Sequence, residues 1–412
     1  CIRDRQKYDV QRQTYTLIQI PQYVGGLNHP SIFSLYRDRQ GTIWIGSFYG
    51  GVNYFTPDRS GFVHYDYQTG NLSSLYYSYI GEMVVDKHHN LWVCTDGGGL
   101  GCINENWELV HQFTADGPNS ITHNNIKSIC YDREKDCLYI GTHLGGLSRY
   151  DIRSKRFYNY LEHPSGNTRT PRHFIYQVKM WNGKLYLSSR EGIFMLEPET
   201  DQFTFLFKPK VYCTNFDIDD EGNFYANQSD KIMIVPLSDV SQKEYIELQD
   251  MGYKGSVSHI QTTGDGAYIC TLGSGLLYYD RTAKKVTAYN TDNSSLPGNY
   301  CYNVKRTMSG KFILTGDKGI TLFNPVEQTF VRLGRKEVYL KAPIIRDCGI
   351  YVSPSNKIYV GDTKGVTLLS EDEFHTSQVE INSLYFSSLR VNNKLIPVSY
   401  THLRAHETLS DL

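Results

Sequence analysis

Four short stretches gather side chains suited to holding a ring-shaped, hydroxyl-rich ligand: Tyr76-Tyr-Ser-Tyr79, His123-Asn-Asn125, Arg172-His-Phe-Ile-Tyr176 and Tyr300-Cys-Tyr302. Aromatic faces stack on sugar rings, while Arg, Asn and His donate hydrogen bonds to hydroxyls in a concave, partly apolar site. The candidate binding set is Tyr77, Tyr79, His123, Asn125, Arg172, His173, Tyr176, Tyr300 and Tyr302. Any single tyrosine here could instead begin a strand and pack, as Tyr does in sheets. The argument therefore rests on the group.

Catalytic and metal chemistry find weaker footing. A glycosidase needs two carboxylates facing each other across a pocket, whereas Asp219, Asp220 and Glu221 share one strand turn, where solvated charge is the usual reason. No catalytic spacing is recognisable, so no catalytic residue is assigned and no enzymatic activity is expected. Nine cysteines are scattered without a Cys-x-x-Cys pair, which argues against zinc. Cys94 and Cys270 stand where other repeats carry Gly46 or Gly141 and read as small buried residues. Cys130 and Cys137 flank a hairpin turn and could face each other; a disulfide there would suit an oxidising compartment, but free thiols are the preferred reading. His88 and His89 lie in a strand turn and read as solvated. His402 and His406 have the i,i+4 spacing of metal ligands but sit in a tail set aside below, so neither metal nor cofactor is expected.

The elements that position the candidate residues come from a repeat. With 412 residues, 40% hydrophobic and 21% charged, the chain can bury a large core. A net charge of −1 provides no field for nucleic acid or anionic membrane, and no apolar run is long enough to span a bilayer. Aligning the phrase Asp38-Arg-Gln-Gly-Thr-Ile-Trp44 along the chain gives anchors at Trp44, Trp92, Tyr139, Tyr186, Tyr225, Tyr268, Ile313 and Tyr359, spaced 48, 47, 47, 39, 43, 45 and 46 residues. Each unit reads as four short strands: an alternating strand (Ser31–Tyr36), a polar turn, a second strand (Ile43–Ile45), a Gly-Gly turn, a third strand (Val52–Phe55) and a closing fourth, Gly61–Asp66 in the first unit. Periods of roughly 40–50 residues built this way indicate a β-propeller of four-stranded blades. The anchors are expected to wedge between blades as structural residues.

Successive copies of Ile-x-Ser-Leu-x-x-Asp-x-x-Gly-x-Ile-Trp-Ile-Gly, followed by Gly-Gly-Val/Leu, resemble two-component-regulator propeller repeats. The connectors Asn119–Ile129 and Asn293–Val304 fit the loop that precedes each such repeat. The likeness covers about residues 14–375. Val379–Pro397 is similar to the start of the β-sandwich (Y_Y_Y-like) domain that follows the propellers in these receptors. The resemblance implies the periplasmic sensor half of a hybrid two-component histidine kinase, with an oligosaccharide as ligand, a homodimer in the parent receptor, and membrane anchoring through segments outside this chain.

The expected division is 1–70, a remnant and last blade of a preceding propeller; 71–377, a seven-bladed β-propeller, with one eight-bladed ring as the competing count; 378–397, the start of the sandwich; and 398–412, a non-native tail. The tail, Val398–Thr408 above all, resembles the translation of a sequencing-library adapter. A signal peptide, a kinase, a receiver and a DNA-binding motif are not found in the sequence, so the chain is read as a fragment that binds and transmits. The alternative reading is an interaction scaffold whose rim takes a protein partner and no small ligand.

Overall fold

The computed structural model describes residues 31–38, 42–55, 63–66, 75, 79–161, 171, 173–333 and 344–374, together with the backbone of four short strands, Gln6–Asp9, Thr14–Leu17, Leu389–Val391 and Lys394–Ile396. The chain divides into two units, residues 1–374 and 375–412. In the second, Leu389–Val391 pairs antiparallel with Lys394–Ile396; the rest of the expected sandwich start and the 398–412 tail lie outside the described residues.

Among the described residues of the first unit, seven antiparallel sheets have four strands and one has three. Six of the seven are built from consecutive strands: blade 1 at 80–113, blade 2 at 126–159, blade 3 at 175–207, blade 4 at 216–247, blade 5 at 257–289 and blade 6 at 301–332. Blade 7 takes Ile350–Val352, Ile358–Gly361 and Gly365–Leu369, and its fourth strand is Val63–Asp66, paired to Gly365–Leu369 from about three hundred residues upstream. This corrects the expectation that 63–66 closes the first repeat and that 1–70 belongs wholly to a preceding propeller. Ring closure explains the swap, because an N-terminal strand added to the last blade pairs an edge that would otherwise stay open. His64 reinforces the seam through a 2.8 Å bond between Nδ1 and Thr367 Oγ1.

The core lies between blades. Seven buried clusters each join two successive blades, and the seventh joins blade 7 to blade 1, so the ring closes on seven. Trp92, Tyr139, Tyr186, Tyr225, Tyr268, Ile313 and Tyr359 fall one to a cluster and are all buried. A large flat side chain at this layer removes apolar area from water on both faces.

Near the axis, hydrogen bonds tie the start of each blade to the next. Glu82 Oε2 accepts from Ile129 N, Ser128 Oγ from Val178 N, Gln177 Oε1 from Phe216 N and Asn215 Oδ1 from Ile260 N. Ser258 Oγ donates to Cys301 O, Asn303 Nδ2 to Cys348 O, and Gly349 N to Ile80 O.

The repeated phrase works as a local device. Asp86 Oδ1 accepts from the backbone N–H of His88 and Asn90, and Oδ2 from the Trp92 indole at 2.8 Å. The same carboxylate thus shapes the turn and aims the anchor. Asp38 and Trp44 repeat the arrangement, also at 2.8 Å. The second glycine of the Gly-Gly turn is needed for its backbone: Gly99 has φ +81°, and a Cβ there would lie 2.0 Å from the Phe113 carbonyl oxygen.

The three-stranded sheet, Ile32–Arg37, Ile43–Ser47 and Gly51–Phe55, stands outside the ring order. Its apolar side chains are uncovered: Phe33, Leu35, Tyr49 and Val52 are all exposed, and Trp44 is 41% exposed where Trp92 is 2%.

The cysteines are structural. All eight among the described residues are free, and Cys130 and Cys137 face other partners, Tyr139 and Asp132, across their hairpin.

Candidate ligand-binding face

Strand direction assigns every candidate among the described residues to one face. Each first strand leaves that face, the second returns to it at the Gly-Gly turn, and the fourth returns to it at the connector to the next blade. Connectors and Gly-Gly turns therefore share one side of the ring, and the Asp turns share the other.

A backbone irregularity recurs in the strands that start at this face. The first strands of blades 2, 3, 5 and 6 break register near their starts, between Ile126 and Ser128, Ile175 and Gln177, Val257 and His259, and Cys301 and Asn303. The extra residue escapes the two-residue alternation and is re-aimed. It is Lys127 in blade 2, Tyr176 in blade 3, Ser258 in blade 5 and Tyr302 in blade 6.

Across blades 2 to 4 the face carries a continuous line of rings. His123 and His143 have centroids 6.1 Å apart, and His143 meets Phe174 edge-on at 4.6 Å. Phe174 stacks with Tyr176 at 6.4 Å, and Tyr176 lies 6.1 Å from Tyr212. The Arg190 guanidinium lies over Phe174 at 5.5 Å and over Tyr212 at 5.9 Å, a cation–π pairing that holds it against the surface. Lys127 Nζ is 3.6 Å from Asp96 Oδ1 at the near end.

The electrostatics follow from these neighbours. Burial, with Lys127 and His123 nearby, lowers the His143 pKa, so the ring is neutral at pH 7 and offers one donor and one acceptor. Burial and the neighbouring Tyr212 raise Tyr176, keeping its hydroxyl protonated. His123 Nδ1 accepts from Asn125 N at 3.0 Å, which leaves Nε2 to donate. Asn125 Oδ1 and Glu191 Oε2 are buried with no hydrogen-bond partner, and an unpaired buried acceptor is costly unless something else supplies a donor.

Of the residues singled out from sequence, His123, Asn125 and Tyr176 come together in this arc. His173 is exposed beside it, and its carbonyl accepts from Gly146 N. Tyr79 is 38% exposed, and its carbonyl accepts from Asp96 N. Tyr300 and Tyr302 form a separate group on blade 6 with Asp317 and Lys318, beside a shallow hollow between 296 and 321. Tyr77 and Arg172 lie outside the described residues.

Sequence reading missed His143, Phe174, Arg190 and Tyr212. Two of these had a signal: His143 and Arg190 directly follow the second strand, where blade 1 has Asp96, so aligning the turn tips would have found them. The Asp219 turn holds its charges structurally. Arg281 Nη1 is 2.7 Å from Asp219 Oδ2, and Nη2 is 2.5 Å from Glu221 Oε1. His88 is not merely solvated, since its Nε2 is 3.3 Å from the buried Asp136 carboxylate. Among the described residues no group of three or more His, Cys, Asp or Glu is placed to hold a metal ion. None of their helices is long and apolar enough to cross a membrane, which does not bear on strands.

Comparison with known proteins fits this geometry. The extracellular domain of the hybrid two component system BT3049 from B. thetaiotaomicron matches with a TM-score of 0.73 at 18% identity, over 95% of this chain and 53% of that one. Two structures of the extracellular domain of BT4673 from the same organism, described as a one component system in one and a hybrid two component system in the other, match with TM-scores of 0.59 and 0.58. Both are 15% identical, covering 76% and 74% of this chain and 40% and 39% of theirs. The chain thus spans about half the length of BT3049's domain, and at these identities the likeness is one of fold. No curated protein matches. Residues 26–49 match the family model described as two component regulator propeller, so the chain carries at least one repeat of that family on a β-propeller fold.

Proposed function

We propose that this chain is the ligand-sensing extracytoplasmic region of a hybrid two-component sensor histidine kinase, and that it detects an oligosaccharide on the connector face. The observation that carries the reading is the arc of five rings from His123 to Tyr212, backed by Arg190 and bordered by the unpaired acceptor of Asn125. Ring faces supply stacking, while the imidazoles, guanidinium and amide supply hydrogen bonds to hydroxyls. Signalling, a periplasmic location and dimerisation belong to the longer receptor, where ligand binding would bias one of two packed arrangements by its differential affinity.

The interaction-scaffold reading has one observation in its favour, the uncovered apolar sheet at 32–55. A thermal-shift screen of the chain against defined oligosaccharides separates the two. A ligand at about 100 times its Kd adds roughly 2.7 kcal/mol of stability. A hit lost in Arg190→Ala supports sensing. Silence from folded protein across the panel shifts the function to the scaffold.

A further inference from the structure

The first strands of successive blades touch one another all the way round, so these strands line the axis. Their side chains alternate. Ile129, Val178, Ile260, Val304 and Ile350 are buried between blades. The next residue on each strand is paired with the anchor: Cys130, Lys179, Gln261, Lys305 or Tyr351. All five are partly exposed. An innermost strand has blades on either side, so this exposure opens onto the central channel. In blade 4 the same position holds Asp217. Two lysines and an aspartate therefore stand at one level around the axis.

One of these charges is left over. Asp217 Oδ1 accepts from Lys179 Nζ, and its Oδ2 accepts from Gln261 Nε2 at 3.0 Å, Thr262 N at 2.7 Å and Thr262 Oγ1 at 2.8 Å. Glu82 of blade 1 is committed to blade 2, its Oε2 accepting from Ser128 Oγ at 2.5 Å and Ile129 N at 3.2 Å. Lys305 makes no hydrogen bond or ion pair with any described residue. Burial lowers its pKa, with the Glu82 carboxyl opposing. An enclosed ammonium without a close counter-charge is costly, and an anion beside it removes that cost.

His259 is the second irregularity. It stands where Ser128, Gln177 and Asn215 accept a backbone N–H from the next blade. His259 makes no such bond. Blade 5 is tied through Ser258 instead, and the imidazole is 6% exposed with Nδ1 buried and unpartnered. Burial, with Lys305 and Lys179 adding to it, lowers the His259 pKa well below its ordinary value. The ring is therefore neutral at pH 7 and carries one N–H. Lys179 belongs to blade 3 and His259 to blade 5, so the two meet across the channel and not through a shared seam. With Lys179 matched by Asp217, the one unmatched ammonium suits a single negative charge. A dianion would face the Glu82 and Asp217 carboxyls as well. We infer that the central channel is a binding site for a small monocarboxylate, ion-paired to Lys305 and hydrogen-bonded by the His259 imidazole.

The test uses the whole chain, with acetate exchanged for chloride at constant ionic strength and thermal unfolding as the readout. Lys305→Gln and His259→Gln install the residues that Gln261 and Gln177 supply at the matching positions of blades 5 and 3, so the inner strands are retained. The expected result is a saturable rise in Tm with acetate, abolished in Lys305→Gln and half-saturating at a concentration at least tenfold higher in His259→Gln. It should be unchanged in Lys285→Gln, which alters an exposed lysine on the fourth strand of blade 5. No saturable rise would overturn the inference, as would a rise that survives in both channel variants. An equal rise with phosphate at the same ionic strength would overturn the assignment to a carboxylate. Should Lys305→Gln unfold, His259→Gln decides, with line broadening of carbon-13-labelled acetate as a second readout: broadening equal to that of the wild type would overturn the inference.

Discussion

The sheet at 32–55 and blade 1 are written in nearly the same words and meet different fates. Both fold an aspartate turn onto an indole at 2.8 Å, Asp38 to Trp44 and Asp86 to Trp92. Yet Trp92 is 2% exposed and Trp44 is 41% exposed, because among the described residues only Trp92 has a neighbouring blade packed on its open side. The motif specifies a turn and a ring direction; burial comes from what stacks against it. This is the expected behaviour of repeats that cannot bury their own apolar face.

That contrast can be broken or sharpened by measurement. The largest effect belongs to Trp92→Ala, expected to cost about 3–5 kcal/mol by denaturant unfolding, the usual range for removing a buried aromatic. Tyr65→Pro should cost roughly 3 kcal/mol by removing a ladder bond of the closing strand, and limited proteolysis should then cut within blade 7. A cost near zero would mean that the ring is held shut without that strand.

Next comes a pH effect at the seam between blades 1 and 2. Burial alone would raise the Asp136 carboxyl, but hydrogen bonds from Lys87, Tyr131 and His88 hold it down to about 2. Its folded pKa is thus below its unfolded value, near 3.9. The stabilisation is present above pH 4 and is lost as pH falls towards 2. It amounts to about 1–2 kcal/mol, allowing for screening of the partly exposed partners. Unfolding at a series of pH values should show Asp136→Asn flattening the curve between 4 and 2. The smallest effect is Trp44→Ala, expected below about 1 kcal/mol, since its ring has little burial to lose. A cost equal to that of Trp92→Ala would contradict the contrast.

The repeat was legible because Asp, Gly and the aromatic anchor each do a local job, at spacings the chain keeps even where Ile313 replaces the ring. The partner of strand 63–66 was not legible. Its alternating pattern says that it needs a neighbour but not which, and the cost of closing a long loop grows only slowly with length. The binding face was half legible. Connector residues such as His123 and Tyr176 stood out by composition, whereas His143, Arg190 and Tyr212 join them only through the stacking of blades 2 to 4. The bulge that re-aims Tyr176 left no mark either, since one extra residue in a strand shifts the side-chain alternation without changing composition.

The central functional claim concerns the arc, and calorimetry tests it most directly. Wild-type chain, Tyr176→Ala and Tyr300→Ala are each titrated with the oligosaccharide that gives the largest thermal shift. The account predicts saturable heat from the wild type, at least a tenfold loss of affinity in Tyr176→Ala, and little change in Tyr300→Ala, which lies outside the arc. Loss in Tyr300→Ala with full retention in Tyr176→Ala would move the site to blade 6 and contradict the account.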